Sequence, residues 1–283
     1  MEENYRTHTE IVNEVIGLNE KESMKILVIA YYNLLSELSG GKNRILGLAK
    51  ALVRFSSMKI LHRGKDLLDK SHNLRFRGYT LIFPLNISRL FSELVSQYAS
   101  IISPSLYKEL KISLNDVDVV QIEQPYTAIP TFIMIKSLGK NPFIVLDSHN
   151  VDFLANKSKL GKSLLVSLIT LLILPFIFLC EKFATRKAHL ILCVSEEDRI
   201  SLSRLYRVPL EKIVVVPNGV DVHKFEKAPL IPALKDKKIV FFHGLYSWHP
   251  NLEAAQLITY YIAPKVPEGI FLLGGSYLPQ FLV

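Results

Sequence analysis

Five pairs of residues able to do chemistry follow apolar runs along the chain: Gly40 and Gly41, Glu123 and Gln124, His149 and Asn150, Ser195 and Glu196, Asn218 and Gly219. A sixth, His243 and Gly244, follows a run nearer the end of the chain. Glycines admit a backbone N–H close to an anion, and at the start of a helix the dipole adds to that attraction. A histidine at a strand end, as His149 is, can donate or accept a hydrogen bond, and by itself reads either as a satisfied strand-end residue or as a site residue. Glu123 and Gln124 precede Pro125, where they either line a cleft or cap the next helix. Asn218-Gly219 is a turn-forming pair.

The segments ahead of these residues predict how they are held. Lys25–Tyr31 (KILVIAY) is a continuous apolar run of the kind that forms a strand buried on both faces. A helix is predicted from about Asn43, with Ile45, Leu48, Ala49, Leu52 and Val53 at the 3.6 spacing. Further strands are expected at 59–62, 80–84, 117–122, 143–147, 189–194 and 213–216, with helices between most of them. That alternation implies an α/β, doubly wound, mainly parallel sheet, in which ligands bind at the carboxyl ends of strands. After Phe225 a polar, proline-containing stretch reads as a linker over 226–238. It is followed by a single βαβ unit over 239–283, which by itself leaves strand faces uncovered. Residues 1–23 are polar, without a signal peptide pattern, and read as a flexible extension.

The chain of 283 residues is 49% apolar, which suits two α/β domains and excludes a disordered tail or a disulfide scaffold. A net charge of +8 favours an anionic partner. The basic residues are scattered, no RNA-binding or finger signature occurs, and nucleic acid is therefore not the expected partner. The two cysteines, Cys180 and Cys193, lie in apolar segments, as inert thiols in a reducing cytoplasm do. Between Lys162 and Glu181 lies an uncharged run, SLLVSLITLLILPFIFLC, Ser163 to Cys180. Its length leaves three arrangements open: a membrane span, a buried helix, or a monotopic contact with Pro175 as a kink and Lys157, Lys159 and Lys162 beside anionic headgroups. A span is disfavoured because it would put the strands at 143–147 and 189–194 on opposite sides of the bilayer.

Several segments, in order, resemble the retaining family 4 glycosyltransferases of GT-B fold. VSEEDRISLSRLYRVPLEKIVVVPNGVDVHKF at 194–225 is similar to the segment closing that family's N-terminal domain. Ser39-Gly40-Gly41 resembles its glycine loop, LDSHNVD at 146–152 its acceptor-side histidine segment, and FFHGLYSWHPNLEAA at 241–255 the start of its donor domain. The resemblance implies a complete Rossmann-like acceptor domain over 24–225 and the first part of a Rossmann-like donor domain over 239–283. It implies transfer of a sugar from a nucleotide sugar to a glycan or polyprenyl-linked acceptor, without metal or other cofactor; the expected location is the cytoplasm, with a monotopic contact through Ser163 to Cys180 placing the chain peripherally on the inner face of the cell membrane. His149 would meet the sugar, Gly40, Gly41, Glu123 and Asn150 would hold acceptor or phosphate, and Asn218, Gly219, His243 and Gly244 would lie toward the donor. The stretch after Gly244, LYSWHPN, lacks the Arg and Lys with which relatives clamp the diphosphate, and His243 or His249 is the expected substitute. The family's pair of glutamates eight residues apart is not found before Val283, from which a C-terminal truncation is expected, and with it the alternative of a non-catalytic remnant or one part of a split enzyme.

Overall fold

A computed structural model describes residues 24–31, 33–34, 40–64, 74–79, 99–161, 163–220, 222, 237–246 and 249–282. The strand expected at 80–84, Ser39, and most of the predicted linker lie outside these residues. The chain divides into two compact units between Gly219 and Val220.

Among the described residues the first unit has seven strands: β1 (Met24–Ala30), β2 (Ser56–Arg63), β3 (Leu74–Tyr79), β4 (Val119–Glu123), β5 (Phe143–Asp147), β6 (Leu190–Cys193) and β7 (Ile213–Val215). All pair in parallel, in the order β3-β2-β1-β4-β5-β6-β7. The connecting helices are α1 (Gly40–Leu52), α2 (Pro104–Ser113), α3 (Ala128–Ser137), α4 (Asp152–Lys157), α5 (Leu164–Lys187) and α6 (Glu196–Tyr206).

Strands such as β1 and β6 are apolar along most of their length because each sheet face carries its own core. Along β1, Leu27 and Ile29 pack with Leu106, Ile135, Ala184 and Leu202 of α2, α3, α5 and α6. The alternate residues, Ile26 and Val28, pack with Ile45, Ala49 and Leu52 of α1. That division follows from the two-residue period of a strand. Cys180 and Cys193 are buried free thiols, and burial pushes them up to about 11 and about 12 respectively.

Local chemistry fixes several helix starts. Ser103 accepts from the Leu106 N–H and Pro104 opens α2. Ser195 accepts from the Asp198 N–H and three acids follow in the first turn of α6, so the pair Ser195 and Glu196 works as a helix start. Helix α1 begins at Gly40, earlier than hydrophobic spacing places it, and both Gly40 and Gly41 lie in its first turn. First-turn N–H groups have no partner within the helix, so glycine there loses nothing in hydrogen bonding.

In the second unit β8 (Lys238–Leu245) and β9 (Gly269–Ser276) pair in parallel, joined through α7 (His249–Leu257) and a π-helical turn, Ile258–Ile262. Tyr246, Ala255 and Leu282 form its small core, while Phe241 is 65% exposed. Gly275, with φ of +127°, faces Gly244 so closely that a Cβ would lie 1.9 Å from the Gly244 carbonyl oxygen. Only glycine fits there.

Candidate active site at the sheet switch point

From β1 the sheet grows one way through β2 and β3 and the other way through β4 to β7. The reversal falls between β1 and β4, and in open parallel sheets the crevice beyond the carboxyl ends at such a point is where ligands bind. Glu123 ends β4, Asp147 ends β5, and the two stand side by side in the register. Both are fully buried.

Two carboxylates brought together out of water need a counter-charge. Arg44 supplies it from α1. Its Nη2 and Nε donate to Asp147 Oδ1 at 2.8 and 3.1 Å, and Nε also reaches Oδ2 at 3.0 Å. Its Nη1 donates to the Val216 carbonyl at 2.7 Å and to Asn218 Oδ1 at 3.1 Å. One buried guanidinium thus ties α1 to the end of β5 and to the chain leaving β7.

His149 Nε2 lies 2.8 Å from Glu123 Oε2 and 3.8 Å from Asp147 Oδ2. The other Glu123 oxygen accepts from Gln121 Nε2 at 2.6 Å. Burial and the neighbouring Asp147 charge raise Glu123 above the ordinary carboxylate value, while the bond to His149 opposes the rise. The His149 side chain is 9% exposed and the Glu123 side chain is fully buried. The donor atoms of Glu123, Asp147 and His149 lie within 4.8 Å of one another, close enough to gather a metal ion. Arg44 already holds both Asp147 oxygens, and its fixed positive charge opposes a second cation.

Gln124 takes φ of +65° with ψ of 160°, a conformation that costs a non-glycine residue about 1–3 kcal/mol. Its N–H donates to the Asp147 carbonyl at 3.0 Å and its Nε2 donates to Asn150 Oδ1 at 2.8 Å. Gln124 makes no side-chain cap to the following helix and instead links the β4 turn to the β5 turn.

Behind His149 the chain enters α4, whose N-terminus is capped from elsewhere in the fold. Glu181, on α5, accepts from the N–H groups of Asp152 and Phe153 at 2.9 Å each and from the Tyr206 hydroxyl at 2.5 Å. Burial raises Glu181 above its ordinary 4.5. Burial and the Glu181 charge raise Asp152 well above 3.8. In the folded chain Asp152 holds a proton that the unfolded chain has released, so its contribution is full below 3.8 and is lost as pH rises through the raised value. The melting temperature is expected to fall as pH rises above 3.8 through the raised Asp152 value, and Asp152→Asn to flatten that slope. Thermal melts across that range check it.

The structure brings Glu123, His149, Asn150 and Asn218 into one connected network. Gly40 is exposed at the start of α1, with nothing within 4 Å of where a Cβ would stand, and Gly219 is equally open. His243 and Gly244 end β8 in the second unit; His243 is exposed, and the Gly244 backbone lies against the Asn251 side chain. Neither motif nor spacing singles out Arg44, Asp147 or Glu181. A charged residue on the apolar face of α1, and an isolated acid closing the long apolar run, are the signals the sequence offers for them.

The model of Glycosyltransferase Family 4 matches residues 39–224. Among curated proteins none matches the chain. Among solved structures the fold is similar to sucrose-phosphate synthase from Thermosynechococcus elongatus, with 14% identity and a TM-score of 0.66 over 91% of this chain and 63% of that one. It is also similar to Anabaena Alr3699/HepE in complex with UDP, with 12% identity and a TM-score of 0.54 over 90% and 62%. A third, the catalytic domain of starch synthase IV from Arabidopsis thaliana bound to ADP and acarbose, gives 12% and 0.55 over 92% and 70%. The chain spans about 63% of the length of the first of these. The seven-stranded parallel unit followed by a second parallel βαβ unit is a GT-B arrangement of Rossmann-like folds. With most of its length matched by that family model, the chain belongs to glycosyltransferase family 4.

Proposed function

We propose that the chain transfers a sugar from a nucleotide-sugar donor to a glycan or lipid-linked acceptor, with retention at the anomeric carbon, at the inner face of the cell membrane. The observation that carries this reading is the buried Arg44, Asp147, Glu123 and His149 network at the switch point of a family 4 domain. His149 is the residue that meets substrate. Its ring is held by Glu123, whose Oε2 lies 2.8 Å from Nε2, so the imidazole is presented to a hydroxyl or a developing negative charge in a fixed orientation. The open first turn of α1 at Gly40 and Gly41 offers backbone N–H groups to phosphate oxygens. Asn218 and Gly219 in the first unit, and His243 and Gly244 in the second, are the donor-side residues in this reading. UDP and ADP in similar structures support a nucleotide sugar as donor. The reaction runs without a metal in this reading, because Arg44 already supplies the cation to the buried carboxylates.

The test is release or transfer of sugar from a panel of nucleotide sugars by the full chain and by His149→Ala. Loss of about 100-fold or more in turnover by the variant, with an unchanged melt, is the expected result. Turnover equal in the two proteins would remove His149 from the catalytic reading, and turnover absent from both would leave the chain as a binding module.

A further inference from the structure

The long helix α5 crosses from the carboxyl end of β5 to the amino end of β6, and its two halves have different surroundings. From Ile177 onward it is anchored: Ile177, Cys180, Glu181, Ala184 and Thr185 are buried, and the His189 N–H just beyond it donates to the Ile144 carbonyl at 2.8 Å. The N-terminal half is not. Leu165, Leu168, Leu172, Phe176 and Leu179 recur at intervals of three and four and form one exposed stripe, with Leu172 81% exposed. An 18-residue window of this helix has a mean hydropathy of 2.5 and is 22% buried, so length and composition alone would permit a crossing.

A crossing would pull Glu181 away from the Asp152 and Phe153 N–H groups and from Tyr206. Thr170 and Ile177, on the other face, are buried in the protein. The exposed stripe is therefore suited to lying along a surface. Its position follows from the topology. In a parallel sheet a crossover helix starts at the carboxyl edge, and Leu164 stands about 25 Å along the axis from Glu181, which is level with the start of α4. The stripe thus projects past the carboxyl edge, on the side of the sheet where His149 lies.

The surrounding charge identifies the occupant. Between Val151 and His189 the only acids are Asp152 and Glu181, and both are buried. Lys157, exposed, and Lys159, partly so, precede the stripe, while Lys182, partly exposed, and Arg186 and Lys187, exposed, follow it at the far end of α5. An aliphatic stripe flanked by charge of one positive sign matches an anionic bilayer, whose headgroups attract the flanks while the acyl boundary takes up Leu and Phe.

We propose that the N-terminal four turns of α5 lie side-on in one leaflet of an anionic membrane, holding the carboxyl edge and His149 at its surface. Docking stands independently of sugar transfer. The further consequence, that the acceptor keeps its lipid anchor in the bilayer while its polar head enters the crevice, rests on the glycosyltransferase reading.

The test is flotation of the full chain with vesicles of phosphatidylcholine containing phosphatidylglycerol and with phosphatidylcholine vesicles alone. The expected result is flotation with the anionic vesicles, at least tenfold less bound protein on neutral ones, and a fall in binding at high salt. The triple variant L168E/L172E/F176E is expected to stay in the dense fraction with its circular dichroism retained. Should the triple variant misfold, Leu172→Gln, at a position with little packing to lose, is expected to bind at least threefold less. Equal flotation of wild type and both variants overturns the proposal. So does a wild type that ignores vesicles but sediments as a dimer that the variants lose, which would assign the stripe to a second copy of the chain. Flotation is read without donor or acceptor, so its failure and the failure of sugar transfer are separate results.

Discussion

Arg44→Ala is expected to destabilise the first unit by about 3–5 kcal/mol, lowering its melting temperature by about 10–15 °C. The side chain gives the buried Asp147 its counter-charge, and removing it leaves that carboxylate uncompensated in a site with 0% exposure. It also frees the Val216 carbonyl and Asn218, which Arg44 holds at 2.7 and 3.1 Å. Two readouts separate these losses. Thermal melting reports the charge, and amide exchange across 216–220 reports the tether, where faster exchange is expected. Arg44→Lys restores charge without the planar fork that spans both Asp147 oxygens, and is expected to recover less than half of the loss. The double variant R44M/D147L removes both charges and is expected to be more stable than R44M alone, since a buried charge without its partner is costlier than an apolar pair. A melt for Arg44→Ala within about 2 °C of wild type would mean that Asp147 is hydrated and the network is not the keystone of the site.

The second large effect is at Glu181. Truncation to Ala strands two backbone N–H groups and the Tyr206 hydroxyl in the interior, each at a cost of about 1–3 kcal/mol, and about 3 kcal/mol in total is expected after local relaxation. The damage should be concentrated in α4 and the turn before it, so His149 loses its support as well as the domain its stability. Glu181→Gln keeps an acceptor for one N–H and removes the charge that raises Asp152, and is expected to cost about 1 kcal/mol near neutral pH and less at higher pH. A positioning role is distinguished from a structural one by the histidine itself. In Glu181→Gln, with its fold retained, the imidazole resonances of His149 should shift by NMR, whereas unchanged resonances would confine Glu181 to stability.

The parallel core is legible because its strands are buried on both faces, which writes them as unbroken apolar runs such as KILVIA and FIVLD. Strand β3, LRFRGY, escapes that signal. At the edge of the sheet it carries Arg75 and Arg77, and Arg77 turns outward to Glu109, so its alternation looks like a surface loop. His149 and Glu123 are visible by their place after strands. Arg44 is not, because its meaning depends on Asp147, 103 residues away, and local spacing presents it only as an interruption in an apolar helix face. Glu181 is hidden for a similar reason: it closes a run that reads as a membrane or core helix, and its two N–H partners belong to a different helix. The apolar run itself is conspicuous, but which of its faces is free depends on tertiary packing that a nearly continuous hydrophobic stretch cannot encode.

The two buried thiols have a practical consequence. With Cys180 pushed up to about 11 and Cys193 to about 12, both stay protonated at neutral pH and are shielded from bulky reagents. An introduced surface cysteine would be the only thiol that a maleimide dye reaches in the native chain, since these are the only two cysteines in the sequence. Fluorophores can thus be placed on the natural background, one on each unit, to follow their separation by energy transfer as nucleotide sugar is added.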